Sequence, residues 1–416
     1  MAVVCDLNAS HGHYLRDAIS GTDYLDFFGF FASRPLAFDH PKLCAPEFVE
    51  RLGAVARHKP SNCDVYTSEY ATFVDLFGRV VLGGDFVHVF FIDGGGPAVD
   101  NAVKAAIDWK VRKNLGAGRG EVGRQIIHFK QAFHGRTGYA LSLTDSFDLN
   151  KTRYFPKWDW PRISNPKIIF PLSEESIAAA EERETEALGE IALSFERHGD
   201  DIAAVIIEPI QCEGGDNYFR SEFLRQLRRL CDEREVLLIF DEVQTGFGAT
   251  GKWWDWRHHD VRPDILIFGK KTQVCGMAAT GRLDEVDSVF SVSSRISSTF
   301  TGNIVDMVRV QRVIEIIEEE RLLDNAITMG EYLLHVLTEV MKSHPAVRAV
   351  RGRGTLAAFD LPDRATRDAL LASCFRQELL VLPCGDRSIR FRPSLDISAD
   401  AIGRAGAQLE AALRHM

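Results

Sequence analysis

The chain of 416 residues lacks any run of 18 or more apolar residues, so it predicts no membrane-spanning helix. Its eight cysteines form no C-x-x-C pair, and the adjacent histidines at 258 and 259 have no partner cluster, so neither a disulfide framework nor a metal site is predicted. A net charge of −10 gives no sign of a nucleic-acid-binding surface. The first residues lack the basic start and apolar stretch of a signal peptide, so we expect a cytoplasmic protein.

The composition is that of a globular enzyme, with 45% hydrophobic and 26% charged residues. The middle of the chain alternates short apolar runs with helical patterns, which predicts an α/β fold around a mostly parallel sheet. From about residue 304, amphipathic helices lead into a predicted small antiparallel sheet, and a last helix begins near Ser398. The predicted strands are 86–92, 125–129, 203–207, 236–240 and 265–268 in the large sheet, and 352–359 and 380–391 in the small one.

Two of the predicted strands end on residues of opposite charge. The apolar stretch 264–270 ends on Lys270, and the stretch 237–242 ends on Asp241 and Glu242. Ligands bind beyond the carboxyl ends of parallel strands, so Lys270 and Asp241 are expected to reach one site. A lysine there can hold an aldehyde cofactor as a Schiff base, and an aspartate can keep a pyridine nitrogen protonated. The two residues together therefore indicate pyridoxal phosphate (PLP).

A glycine-rich turn joins a strand to a helix at residues 94–97. Glycine lets backbone amides approach a phosphate, and the N-terminus of a helix favours an anion. The turn lacks the G-x-G-x-x-G pattern of dinucleotide-binding proteins, so a nicotinamide dehydrogenase is disfavoured. Taken alone, the segment is also consistent with a tight turn that binds no ligand.

Two other segments carry candidate binding groups. Phe133 could stack on a planar cofactor, and Arg136 could bind a carboxylate in two-pronged fashion; the alternatives are a core ring and a solvated charge. Arg390 and Arg392 face the same side of a predicted strand, where one of them could meet a substrate carboxylate; the alternative is an exposed charged edge.

Together these segments resemble the class III (omega-type) aminotransferases over nearly the whole chain. The core of the likeness is the stretch 238–246, followed by Pro263, Asp264 and Lys270. Within the class, the L-lysine 6-aminotransferases are the most similar, on the stretches 59–66, 132–136, 155–163 and 268–276.

The resemblance implies the fold type I architecture of PLP-dependent transferases. A large PLP-binding α/β domain would span residues 46–303. Both chain ends, 1–45 and 304–416, would form a smaller α+β domain.

The resemblance also implies a role for each residue of the cofactor site. Lys270, rather than its neighbour Lys271, would carry the cofactor and move the proton. The other cofactor-binding residues would be Gly95 and Gly96 at the phosphate, Phe133 and Val243 on the two faces of the ring, Asp241 at the ring nitrogen, Gln244 at the ring hydroxyl, and Thr299 at the phosphate of the neighbouring subunit. The last contact implies a homodimer with shared active sites.

The resemblance also implies that three arginines and one glutamate lie at the substrate. Arg136 would bind the α-carboxylate of lysine. Glu213 and Arg390 would form a switching pair, closed for lysine and open for 2-oxoglutarate. Arg34 stands where the related enzymes usually carry serine, and it would add a positive charge if its loop lines the substrate pocket.

The expected reaction is transfer of the ε-amino group of L-lysine to 2-oxoglutarate by a ping-pong mechanism, giving 2-aminoadipate 6-semialdehyde and L-glutamate. Because Arg34 would repel a second ammonium, a different ω-amine or amino-acid donor, such as ornithine or 4-aminobutyrate, stays open. A PLP aminomutase, which would need no oxo acid, is a further alternative. A non-catalytic descendant is disfavoured because Lys270, Asp241 and Gln244 are all present.

Overall fold

The computed structural model describes residues 3–416. Its strands are β1 (Cys5–His11), β2 (Tyr14–Asp17), β3 (Asp23–Asp26), β4 (His88–Phe91), β5 (Gln125–Phe129), β6 (Arg162–Ile163), β7 (Ile202–Ile207), β8 (Ile210–Gln211), β9 (Asn217–Tyr218), β10 (Leu237–Asp241), β11 (Ile265–Phe268), β12 (Gly276–Ala279), β13 (Arg348–Arg353), β14 (Leu356–Asp360), β15 (Leu379–Leu380), β16 (Leu382–Cys384) and β17 (Ser388–Phe391).

The helices of the same residues range from single turns to 25 residues. They are α1 (Gly29–Ala32), α2 (Pro41–Cys44), α3 (Pro46–Ala56), α4 (Ser68–Leu76), α5 (Gly95–Gly116), α6 (Gly138–Leu143), α7 (Glu174–His198), α8 (Ser221–Glu233), α9 (Ile304–Glu319), α10 (Leu322–Ser343), α11 (Arg364–Arg376) and α12 (Ala399–Arg414). Among residues 3–416, none of the helices combines the length with the apolar composition that a membrane span requires.

A seven-stranded sheet in the order β4-β12-β11-β10-β7-β5-β6 forms the centre of the molecule. Its pairs are parallel except those of β12, which runs antiparallel to both β11 and β4. Every residue of β7, β10 and β11 is buried. Continuous apolar strands of this kind are typical of a parallel sheet covered by helices on both faces.

The side chains of β10 and β11 alternate between two hydrophobic cores. Phe240 and Phe268 pack on one face, in a core shared with residues of α8 and α9, and Ile239 and Ile267 pack on the other, against α5. Each such side chain contributes about 1.5–3 kcal/mol when fully buried. These two cores hold the ends of β10 and β11 in fixed positions.

Two four-stranded sheets lie outside the central one. The first has the order β13-β14-β17-β16, and the second, β1-β2-β3-β15, joins the start of the chain to its last quarter. Within the second sheet, Leu25 pairs with Leu379 in parallel. Leu25 and Phe27 also share a core with Phe359 and Phe391. These contacts support our proposal that 1–45 and 304–416 form one small domain.

The five strands predicted for the large sheet are all present, each within two residues of its predicted bounds. The predicted strand 352–359 is instead the end of β13, a turn and most of β14. The chain turns at Gly354, where φ is +57° and a Cβ atom would lie 2.5 Å from the carbonyl oxygen of Ala249. Strand β12 was not predicted, because its glycine, methionine and two alanines lack the β-branched residues that mark a strand.

A buried ion pair joins the small antiparallel sheet to the loop between β8 and β9. Arg392, directly after β17, donates to the carboxylate of Asp216, and both side chains are fully buried. The Nε atom of Arg392 also donates to Gln244 Oε1 at 3.2 Å. Arg392 is therefore a structural cation, and the carboxylate of Asp216 compensates its charge.

Replacing Asp216 by Asn should lower the free energy of unfolding by about 3–5 kcal/mol, because it leaves the buried guanidinium without an anion. The midpoint of chemical denaturation, followed by tryptophan fluorescence, measures this. The matched control is Asp400→Asn, which breaks the exposed Arg404–Asp400 pair and should leave the midpoint unchanged. Equal midpoints for Asp216→Asn and the wild type would contradict the structural role of the buried pair.

Candidate active site

A cavity of about 300 Å³ lies beyond the carboxyl ends of the parallel strands. The residues that line it follow β5, β7, β10 and β11 or begin α5. They are Gly95, Gly96, Phe133, His134, Gly135, Glu208, Asp241, Val243, Gln244, Lys270 and Cys275. Seven of the eight residues predicted to bind the cofactor therefore line one cavity.

Asp241 is held from two sides at the end of β10. Its Oδ2 atom lies 2.8 Å from His134 Nδ1, so this ring nitrogen donates to the carboxylate. Its Oδ1 atom accepts from the backbone N–H of Val243 at 3.1 Å. No role was predicted for His134 from the sequence; it lies in the loop after β5, whereas Asp241 is the last residue of β10. The two bonds fix the direction in which the Asp241 carboxylate faces the cavity.

The adjacent lysines lie in different environments. Lys270 lines the cavity, and burial, reinforced by the nearby guanidinium of Arg390, lowers the pKa of its amine. Lys271 points away from the cavity and donates to the carbonyl oxygens of Arg34 at 3.2 Å and Pro393 at 3.1 Å. Burial lowers the pKa of Lys271 to about 7. The geometry thus makes Lys270 the amine available for chemistry at the cavity.

The first turn of α5 forms one wall of the cavity. A Cβ atom on Gly96 would lie 2.6 Å from Thr137 Oγ1, and one on Gly95 would lie 3.3 Å from a methyl group of Val243. No larger side chain fits at Gly96 without displacing Thr137. The backbone amides of this helix N-terminus are therefore accessible to an anion.

Glu208 is a second buried acid beside Asp241. Its Oε1 atom accepts from the backbone N–H of Phe133 at 2.8 Å. Burial, and then the charge of Asp241, raise the pKa of Glu208 well above its usual range. Burial and the neighbouring carboxylate of Asp241 thus both favour the neutral, protonated form of Glu208. In the sequence, Glu208 is marked only by its position directly after β7, and no role was predicted for it.

The predicted pairing of Glu213 with Arg390 is not formed in this structure. Arg390 donates from Nη1 to Gln244 Oε1 at 2.8 Å. Glu213 instead accepts from Lys151 Nζ at 2.5 Å. The carboxylate of Glu213 is thus bound by the ammonium of Lys151 and not by the guanidinium of Arg390, and no role for Lys151 was predicted from the sequence.

Arg34 lies outside the cavity, in contrast to the prediction that it lines the substrate pocket. Its guanidinium lies 3.1 Å from the Asp26 carboxylate and 4.0 Å from the centre of the Phe38 ring. The side chain is buried there, so the negative charge of Asp26 rather than a substrate compensates it. The arginine that replaces the usual serine therefore adds no charge to the cavity.

The last two predicted residues are exposed. Arg136 follows the cavity residue Gly135, with its side chain open to solvent. Thr299 is exposed and does not line the cavity of its own chain. Its carbonyl oxygen accepts from the thiol of Cys63 at 3.5 Å.

Comparison with known proteins gives consistent matches over the full length. L-lysine-epsilon aminotransferase of Mycobacterium tuberculosis is 48% identical over 415 residues, which are 99% of this chain and 92% of the relative. L-lysine-epsilon aminotransferase of Amycolatopsis lactamdurans is 47% identical, with the same coverage. The solved structure of the lysine aminotransferase from M. tuberculosis in the internal aldimine form superposes with a TM-score of 0.96 at 47% identity, covering 100% of this chain and 95% of that one.

The family model for class III aminotransferases matches residues 1–413. The match includes the strands, the glycine turn and the lysine that build the cavity. Because the family model matches residues 1–413 and the relatives align over nearly the whole chain, the chain belongs to the class III aminotransferases.

Proposed function

We propose that the protein uses pyridoxal phosphate to transfer the ε-amino group of L-lysine to 2-oxoglutarate, giving 2-aminoadipate 6-semialdehyde and L-glutamate. The observation that carries the proposal is that Lys270 and Asp241 line one cavity with the N-terminus of α5. The relatives at 45–48% identity, all L-lysine-epsilon aminotransferases, support lysine as the donor.

The donor groups of the cavity fit this cofactor. The amides of Gly95 and Gly96 would hold its phosphate at the helix N-terminus. The carboxylate of Asp241, fixed by His134, would face the ring nitrogen, and Val243 and Phe133 would pack on the two faces of the ring. Gln244 would bond the ring hydroxyl. When bound, pyridoxal phosphate supplies an aldehyde that reacts with amines and a ring that accepts electron density from the reacting carbon.

Lys270 would be the residue that moves the proton. Burial and the charge of Arg390 lower the pKa of its amine, which favours the neutral form of Nζ that can accept a proton. It would take a proton from the carbon that bears the transferred amine and return it to the cofactor. The raised pKa of Glu208 favours its neutral form, so the carboxylate assigned to the ring nitrogen is that of Asp241.

The position of Arg136 would decide which amine of lysine reacts. A guanidinium binds a carboxylate in two-pronged geometry, so Arg136 would hold the α-carboxylate at the mouth of the cavity. The ε-amine at the other end of lysine would then point toward Lys270.

A homodimer with shared active sites is part of the proposal. Thr299 is exposed in its own subunit, as it must be in order to reach the phosphate of a second one. The stretch 154–158 also exposes large aromatic side chains, with Tyr154 85% and Trp158 59% exposed. Apolar patches of this kind mark protein–protein contacts.

A second class of amino donor is favoured by one observation beside the cavity, at a residue bonded to the lining residue Gln244. Arg390 is buried, and its bond to Gln244 leaves its positive charge without a carboxylate partner in the described residues 3–416. Such a charge favours a donor with a carboxylate close to the reacting amine. More distant relatives include the 4-aminobutyrate aminotransferase of Dictyostelium discoideum, 32% identical over 410 residues.

Adding L-lysine alone to the cofactor-loaded protein should remove the visible absorbance band of the bound cofactor, and 2-oxoglutarate should restore it. Each half-reaction would then proceed without the other substrate, as a ping-pong mechanism requires. Mass analysis should identify the 6-semialdehyde as the product. An unchanged band with lysine, together with bleaching by 4-aminobutyrate or glutamate, would refute lysine as the donor.

The lysine pair offers a matched test of the catalytic amine. Lys270→Ala should abolish turnover and covalent cofactor attachment, whereas Lys271→Met should retain the attachment and lose thermal stability, because it removes two buried hydrogen bonds. Borohydride reduction followed by peptide mass analysis locates the linkage. A cofactor found on Lys271, or normal turnover by Lys270→Ala, would contradict the assignment.

Thr299→Ala should weaken cofactor binding by about tenfold to a hundredfold, the range expected for losing one hydrogen bond to a charged group. Equilibrium dialysis of the cofactor measures the change, and Ser298→Ala is the control at the adjacent position. Sedimentation should give twice the mass of one chain for both variants. Unaltered cofactor affinity in Thr299→Ala would remove Thr299 from the phosphate site.

A further inference from the structure

Glu213 is bound on one side of its carboxylate and free on the other. Its Oε1 atom accepts from Lys151 Nζ at 2.5 Å and from Ser146 Oγ at 2.8 Å. Its Oε2 atom is buried and has no hydrogen-bond partner among residues 3–416. The Lys151 and Glu213 side chains are only 27% and 16% exposed, so solvent screens their attraction incompletely.

Arg390 also has an unused hydrogen-bonding group. One terminal nitrogen donates to the neutral amide oxygen of Gln244, and its buried Nε has no partner within the described residues. A neutral amide compensates the positive charge less well than a carboxylate does. Of the two cations considered for Glu213, Lys151 is the one that holds its carboxylate in this structure.

We propose that Lys151 is a positioning residue that sets substrate choice. By binding Glu213, it keeps this carboxylate away from Arg390 and leaves the guanidinium open to the carboxylate of a dicarboxylic substrate. This inference rests on the proposed function only in placing the dicarboxylic acceptor at Arg390. In this proposal Lys151 keeps Arg390 accessible to the acceptor without touching the cofactor ring or the acceptor itself.

The local structure favours Lys151 in this competition. The residue ends the short 3-10 turn Leu149–Lys151, which the side chain of Asp148 caps. Its ammonium also lies 5.5 Å from the centre of the Phe133 ring, within reach of a cation–π contact. Ser146 adds a second donor to the same oxygen of Glu213.

The arrangement has opposite consequences for the two substrates. A bound dicarboxylate would gain an ion pair with Arg390, whose Nε–H is free to donate. The reacting end of lysine has no carboxylate, so lysine binding leaves the charge of Arg390 uncompensated unless Glu213 is released from Lys151. Lys151 should therefore strengthen binding of the dicarboxylate and weaken binding of lysine.

The test is calorimetric titration of the cofactor-loaded enzyme with glutarate, a five-carbon dicarboxylate that has no amino or oxo group and does not react. Lys151→Gln should weaken glutarate binding about tenfold, which corresponds to about 1.4 kcal/mol. Lys151→Arg should retain the wild-type affinity because it keeps the charge. Lys104→Gln, at an exposed position of α5, is the control for loss of a lysine elsewhere.

A double-mutant cycle separates an effect through Glu213 from a direct one. Glu213→Gln should not weaken glutarate binding, and Lys151→Gln should have no further effect when Glu213 is already Gln. A tenfold loss that persists in the double variant would mean that Lys151 acts on the ligand itself. Unchanged affinity in Lys151→Gln, or no glutarate binding by the wild type, would also overturn the proposal.

The cycle does not depend on the identity of the amino donor. If lysine fails to bleach the cofactor band, the donor assignment falls, and the glutarate affinities still decide the role of Lys151. If lysine does react, Lys151→Gln should lower its half-saturating concentration while raising that of 2-oxoglutarate. A purely structural role of Lys151 would not shift the two substrates in opposite directions.

Discussion

The parallel pairing of β10 with β11 is the constraint on which the active site depends. Asp241 lies opposite Ile267, and the N–H of Glu242 donates to the Ile267 carbonyl at 2.9 Å. This register brings Asp241 and Lys270 to the same cavity. If the register between β10 and β11 shifted by one residue, the side chain of either Asp241 or Lys270 would point toward a hydrophobic core instead of the cavity. The cores on both faces of the sheet prevent such a slip, so the chemistry depends on their packing.

The ionisable side chains buried near the cavity are stabilised in different ways. Asp241 is hydrogen-bonded by His134, and Arg392 is paired with Asp216. Lys271 donates to backbone carbonyls. Arg390 alone is bonded only to the neutral amide of Gln244 in this set. An incompletely compensated charge is costly in the absence of a ligand, and a bound carboxylate would offset that cost.

The sequence predicted the backbone that builds the cavity, because short apolar runs ending on Lys270 and Asp241 are a strong local pattern. It also predicted which lysine faces the cavity, through the family resemblance. It did not predict which side chains pair within the site. The bond between Glu213 and Lys151 joins segments that are distant in sequence, and whether Lys151 or Arg390 is closer depends on loop geometry. The burial of Arg34 on Asp26 was missed for the same reason.

The pairing of β3 with β15 affects how the chain can fold as it is synthesised. The strands β1, β2 and β3 are synthesised before the central sheet, but the edge of β3 stays unpaired until Leu379 and Leu380 have been made. The central sheet draws only on residues between these two points, so it can form earlier. Contacts of such large sequence separation form late and leave strand edges open to other chains. Losing the C-terminal segment would expose the edge of β3 permanently, and losing the N-terminal segment would expose that of β15; either open edge favours aggregation.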